Sequence, residues 1–192
     1  SSLSDLVTFG RRAGLYASKA ASAMESWGEI EEDEIQNGIE HIMAPLNREG
    51  GENPAAIVHD LREMMQEKVG IIRTREQLVE ALNDLEALRV RSQSCSPGGG
   101  LIYNPGWHQA LELEAMIDVS QMCALAALER EESRGGHTRD DFPAPDHDSW
   151  GKVNSVITKG PDGSMKIDHR SYPPIPDELK QLLDSDDLDG DS

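Results

Sequence analysis

The sequence predicts a mainly α protein: a three-helix, spectrin-repeat-like domain with helices before it and a small β-hairpin after it. Three observations carry this prediction. Apolar residues recur at three- and four-residue steps through five separate segments between residues 3 and 130. Helix start signals precede the last three segments: Asn53-Pro54, Thr74 with Gln77, and Asn104-Pro105. After Pro143 the pattern changes to two short β-like runs, "KVNSVITK" and "SMKID", around Gly160-Pro161-Asp162-Gly163, where proline at the second turn position and a following glycine favour a hairpin.

The first helix is expected over residues 3–24, where Leu3, Leu6, Val7, Ala13, Ala17, Ala20, Ala21 and Met24 recur with helical spacing. Gly10, Gly14 and the alanines leave one face thin enough for another backbone to approach. Ser2 followed by Asp5 has the form of a capping box, with Asp in place of the usual Glu or Gln. The chain opens "SSLSDLVTFGRRAG" without an initiator Met, so it is expected to be an inner part of a larger protein, with the partner of this helix outside the chain. A second helix over about 29–43 should turn Ile35, Ile39 and Ile42 inward and stop at Pro45. The third, about 53–69, carries the stripe Val58, Leu61, Met65 and Val69. The fourth, about 75–92, carries Leu78, Leu82, Leu85 and Leu88, and "SQSCSPGGG" breaks it. The fifth, about 105–131, is apolar or small over most of its circumference, with Glu114, Asp118, Gln121, Glu129 and Glu132 on a narrow polar strip. Such a helix is expected to sit centrally, with Leu61, Met65, Leu78, Leu82, Leu85, Leu111, Ile117 and Met122 buried together and Cys123 among them.

Four regions follow: 1–26, a terminal helix of a preceding domain; 27–140, a helical domain; 141–183, a hairpin extension; and 184–192, an acidic tail expected to be disordered. Its aspartates do not have calcium-loop spacing, because Leu188 stands at the fifth position.

Composition narrows the chemistry. There are 36 acidic residues against 18 Lys and Arg, a formal charge of -18. That field repels phosphate backbones and anionic lipid, so no nucleic-acid partner is expected. No apolar run approaches a membrane span. Cys95 and Cys123 stand in unrelated contexts, as structural thiols of a reducing compartment do. The six histidines have no ligand partners at zinc spacing, no Ser stands in a nucleophile elbow, and "SPGGG" lacks the form of a phosphate loop.

One stretch exceeds what a helix stop needs: "EESRGGHTRDDFP", residues 131–143. A glycine of Gly135-Gly136 in the left-handed conformation could close the fifth helix, with Arg130 or Arg134 at its negative pole and Asp140 and Asp141 pairing with Arg139. Arg134, His137 and Arg139 on a tight loop also suit docking on a carbonyl-rich or acidic neighbour.

These segments together carry a resemblance. "SSLSDLVTFGRRAG", "NPAAIVHDLREMMQEKVGIIRTREQLVEAL" and "YNPGWHQALELEAMIDVSQMCALAALEREESRGGHTRDDFP", followed by Trp150-Gly151-Lys152 and a hairpin, resemble the C-terminal part of the flavoprotein subunit of succinate dehydrogenase and fumarate reductase up to about Leu183, in a form similar to that of actinobacterial succinate dehydrogenases. L-aspartate oxidase carries a similar Glu-Ser-Arg-Gly-x-His segment, but usually without the second arginine and the Trp-and-hairpin extension present here. A free-standing acidic helical interaction module is the other alternative.

The resemblance implies a flavoprotein that interconverts succinate and fumarate with FAD and passes electrons to an iron–sulfur subunit. It would lie on the cytoplasmic face of the cell membrane through membrane anchor subunits. The catalytic residues would all lie upstream, in the remainder of the flavoprotein subunit. Ser2 and Leu3 match the Ser-Leu pair that contacts the flavin ring; Arg134, His137 and Arg139 would be docking groups behind the cofactor.

Overall fold

The computed structural model describes residues 2–26 and 28–180. Two units divide between Ile42 and Met43. The first holds α1 (Ser2–Ala23) and α2 (Glu32–Met43). Ile35, Ile39 and Ile42 were expected inward but lie at the surface, 44%, 51% and 45% exposed: their spacing puts them on one face of α2, and that helix buries none of its residues. Leu3, Leu6, Val7, Phe9, Leu15 and Tyr16 of α1 are also more than half exposed. The Ser2 cap and the acidic tail lie outside what the structure describes.

The second unit is built on α3 (Pro54–Lys68), α4 (Arg75–Gln93) and α5 (Pro105–Glu129). Each start signal works as its chemistry dictates. Asn53 Oδ1 accepts from Ala55 N at 2.9 Å, with Pro54 opening the helix. Thr74 and Gln77 form a reciprocal capping box, with bonds of 3.0 and 3.3 Å. Asn104 Oδ1 accepts from Trp107 N at 3.1 Å.

Each of the three helices packs against both others, so α5 is one side of a triangle rather than the centre. The core is Ile57, Val58, Leu61, Met64, Val69, Leu78, Ala81, Leu85, Leu88, Cys95, Leu113, Ile117, Ala124 and Ala127, with Met65 and Leu82 packed partly buried at its edge. Met122 is 39% exposed and Cys123 is exposed too, against expectation, since α3 and α4 cover only the sector of α5 that holds Leu113, Ile117, Ala124 and Ala127. The polar strip of α5 serves its neighbours: Asp118 and Gln121 each accept from Arg89 at 2.8 Å.

Two sheets complete the unit. β1 (Ile72–Arg73), in the turn between α3 and α4, pairs in parallel with β2 (Thr138–Arg139), and Ile72 lies opposite Thr138. β3 (Val153–Lys159) and β4 (Met165–Ser171) form the expected antiparallel hairpin, closed by a loop in which Gly160 N donates to Ser164 O at 2.7 Å. Glu129 at the end of α5 meets His169 Nε2 at 3.0 Å, and Trp150, in a 3-10 turn, stacks edge-on against His169.

Leu85, 1% exposed, is the clean core probe. Leu85→Ala should lower unfolding free energy in denaturant titration by about 2–5 kcal/mol, and Leu82→Ala by less. In native thiol labelling of the chain, Cys123 should react and Cys95 should stay protected until unfolding.

Candidate structural and docking site

The chemistry concentrates where α5 ends. The helix stops at Glu129, with Arg130 as an extended C-cap residue. No glycine closes it. Gly135, with φ of +58°, instead turns the chain five residues after that cap, inside a tight loop whose Arg134 and His137 exchange backbone hydrogen bonds of 2.8 and 3.0 Å.

The last carbonyls of α5 need donors, and Arg139 supplies them. Its guanidinium gives Nη1 to Ala127 O at 2.8 Å and Leu128 O at 3.0 Å, while Nε and Nη2 grip Asp141 at 2.7 and 2.6 Å. A cation at a helix C-terminus also meets the negative pole of the dipole. Arg139 is fully buried, so it faces into its own domain, not toward a neighbour. Asp141 keeps its charge readily, since Arg139 beside it holds its carboxyl below the usual range. Asp140 remains exposed and uses its backbone, N to Arg73 O at 2.9 Å.

A second buried charge stands beside the first. Glu132 is fully buried, and its carboxylate accepts from Arg134 Nε and Nη2, from Arg130 Nε at 2.8 Å, and from the amide of Asp146 at 2.7 Å. Two guanidiniums and a backbone donor offset the cost of removing the carboxylate from water. Arg134 and the other donors hold the Glu132 carboxyl down to about 2. Arg130 then reaches Trp150 O at 2.7 Å and stacks over the indole ring at 5.4 Å, which ties the hairpin to the helices.

His137 links the loop to the α3–α4 turn. Its Nε2 lies 3.0 Å from Arg130 O and its Nδ1 lies 3.0 Å from Arg73 Nη1. A guanidinium only donates and a carbonyl only accepts, so the imidazole carries its proton on Nε2 and is neutral. Burial, opposed in part by the Arg130 carbonyl and reinforced by the charges of Arg73 and Arg139, pushes its pKa below the usual value.

Arg134, His137 and Arg139 are thus brought together, with side chains engaged by Glu132, Arg73 and Asp141 of the same chain. Glu132 and Arg73 had no distinguishing sequence signal: one reads as part of an acidic helix face, the other as a turn residue. Leu3 stands in the first turn of α1, 77% exposed. Ser2 opens that turn. Among the described residues, no cluster of His, Cys, Asp or Glu could hold a metal ion, and no helix is long and apolar enough to cross a membrane.

The family model described as fumarate reductase flavoprotein C-term matches residues 58–179. The succinate dehydrogenase flavoprotein subunit of Coxiella burnetii is 31% identical over 91% of this chain and 28% of its own length. The fumarate reductase flavoprotein subunit of Helicobacter pylori is 30% identical over 96% of this chain and 26% of its own. Among solved structures, Mycobacterium smegmatis Sdh1, in complex with UQ1, superposes with a TM-score of 0.87 at 35% identity, covering 98% of this chain and 32% of that one. The chain spans roughly a quarter to a third of the length of these relatives.

Removing one partner from a buried ion pair leaves the other uncompensated, so Glu132→Gln should destabilise the domain by about 3–5 kcal/mol in denaturant titration. Acid should act the same way in two steps. The folded pKa of His137 lies below its unfolded value of 6.5, so its contribution is complete above about pH 6.5 and fades as pH falls below it. Glu132, lowered from 4.5 to about 2, contributes fully above pH 4.5 and is lost as pH falls toward 2. Midpoints measured from pH 7 to 3 should fall monotonically, and the fall between pH 7 and 5 should shrink in His137→Gln.

Proposed function

The chain belongs to the succinate dehydrogenase and fumarate reductase flavoprotein family, as its C-terminal part, and we propose that it completes a subunit that interconverts succinate and fumarate. The observation that carries this reading is the family match over 58–179, which contains the whole Glu132–Arg139 network. Bound FAD supplies the two-electron acceptor. An iron–sulfur subunit takes the electrons onward, and membrane anchor subunits hold the assembly at the cytoplasmic face.

Within that subunit the residues described here have supporting work. α1 is 22 residues long, and its first turn leaves backbone N–H groups without helical partners. Ser2 and Leu3 there suit the electron-rich edge of a reduced flavin ring, where a positive helix pole stabilises added negative charge. The exposed apolar residues of α1 suit the preceding domain as cover. The loop of Arg134, His137 and Arg139 acts as a clasp: it fixes the end of α5, and through Arg73 the α3–α4 turn, in the shape that the FAD-binding domain receives. These side chains position their own loop and do not touch substrate.

The intact flavoprotein, purified with its partner subunits, should reduce an electron-accepting dye with succinate and leave L-aspartate untouched. Oxidation of L-aspartate without an associated iron–sulfur protein would replace this reading with L-aspartate oxidase. The 192-residue chain alone should retain no flavin, since only two residues of the expected flavin shell belong to it; stoichiometric flavin absorbance after gel filtration would contradict that.

A further inference from the structure

The clasp residues turn inward, and what they leave outside is a small apolar tip. Ile71 and Ile72 are 78% and 60% exposed. They do not belong to a loose loop. Arg73 Nε donates to Gly70 O at 2.7 Å, Arg73 O accepts from Asp140 N at 2.9 Å, and the parallel register sets Ile72 beside Thr138. The same edge carries the exposed Gly135-Gly136 turn. A fixed, β-branched apolar pair loses little entropy on being covered, which is what an interface anchor needs.

Gly136 supplies a second, independent observation. Its φ is not in the left-handed region, and a Cβ built on it meets no atom within 4 Å. Among the described residues nothing crowds this position, so the turn leaves room for another backbone to come close. Charge supplies a third. The chain carries -18 overall, yet around this tip cations meet acids pair by pair: Arg75 with Glu131, Arg134 with Glu132, Arg139 with Asp141. Charges behind the tip are thus compensated within this chain, so a protein surface that covers the tip buries no uncompensated guanidinium of these pairs.

We propose that Ile71, Ile72 and the Gly135-Gly136 turn form the contact by which this domain seats on the preceding part of its own polypeptide. The occupant follows from length. The relatives extend to three or four times this chain, which covers only 26–32% of them. The missing portion is covalently joined to this chain, and that tether raises its local concentration far above that of any separate subunit. This inference rests on the reading of the chain as the C-terminal part of a longer flavoprotein.

The test uses the intact flavoprotein with a photo-crosslinking benzophenone amino acid at position 72. Mass spectrometry should find residue 72 joined to peptides upstream of Ser1 in the same polypeptide. Crosslinks to an iron–sulfur subunit or to a second copy of the chain, or none after full photolysis, would overturn the proposal. Gly136→Leu should raise the rate at which limited proteolysis releases the C-terminal segment by about tenfold, while Glu63→Leu, on the exposed face of α3, should leave it unchanged. Equal rates in the two variants would also overturn it. Succinate turnover is scored separately. Upstream crosslinks in a protein inactive with succinate keep the surface and discard the function; an active protein with crosslinks elsewhere does the reverse.

Discussion

The domain depends on burying two charges, Arg139 and Glu132, beneath the end of α5. Each is fully enclosed, and each has nearly its full complement of partners from this chain. Burial of an ionised group costs several kcal/mol before compensation, so neither pair is a simple source of stability. What they supply is a unique arrangement. Arg139 can satisfy Ala127 O, Leu128 O and Asp141 at once only if the chain returns across the helix end, and that return forces Thr138-Arg139 against Ile72-Arg73. Glu132 similarly collects Arg130, Arg134 and the Asp146 amide, and Arg130 carries the constraint on to Trp150. Three segments far apart in sequence are thereby set around one helix terminus.

This arrangement accounts for the crowding of ionisable groups around a double glycine: most of them are partners of one another. A catalytic acid or base must reach substrate. Here the imidazole of His137 is spent on Arg73 and Arg130, and the guanidiniums on carboxylates and carbonyls. The loop's outward contribution is shape: a glycine turn and an isoleucine pair on a rigid base.

Much of the fold was legible because local chemistry decides it. Asn53, Thr74 and Asn104 announce helices with bonds that the structure contains, and the hairpin follows from its turn residues. Burial was less legible. Periodicity identifies an apolar face but not what covers it, so Ile35, Ile39 and Ile42 appeared inward and lie exposed, and Met122 and Cys123 fall just outside the sector that α3 and α4 cover. The β1–β2 pair spans two residues on each side, too few for any alternation to show. The role of Glu132 was hidden because its partners converge only in three dimensions: Arg130 and Arg134 flank it, but the Asp146 amide arrives from 14 residues on. The unusual composition of residues 131–143 did mark where ion pairs gather; it could not indicate that Arg139 points inward.

The central claim is that these residues hold structure and do not perform chemistry. Arg139→Lys in the intact flavoprotein tests it most directly, because lysine keeps the charge but cannot fork between Asp141 and two carbonyls. Flavin content, thermal midpoint and turnover per bound flavin are measured on the same preparation. The account predicts that the first two fall and that turnover per flavin is unchanged. A fully flavinated enzyme of unchanged midpoint whose turnover drops by about 10²-fold or more, the scale of a lost acid–base group, would contradict it.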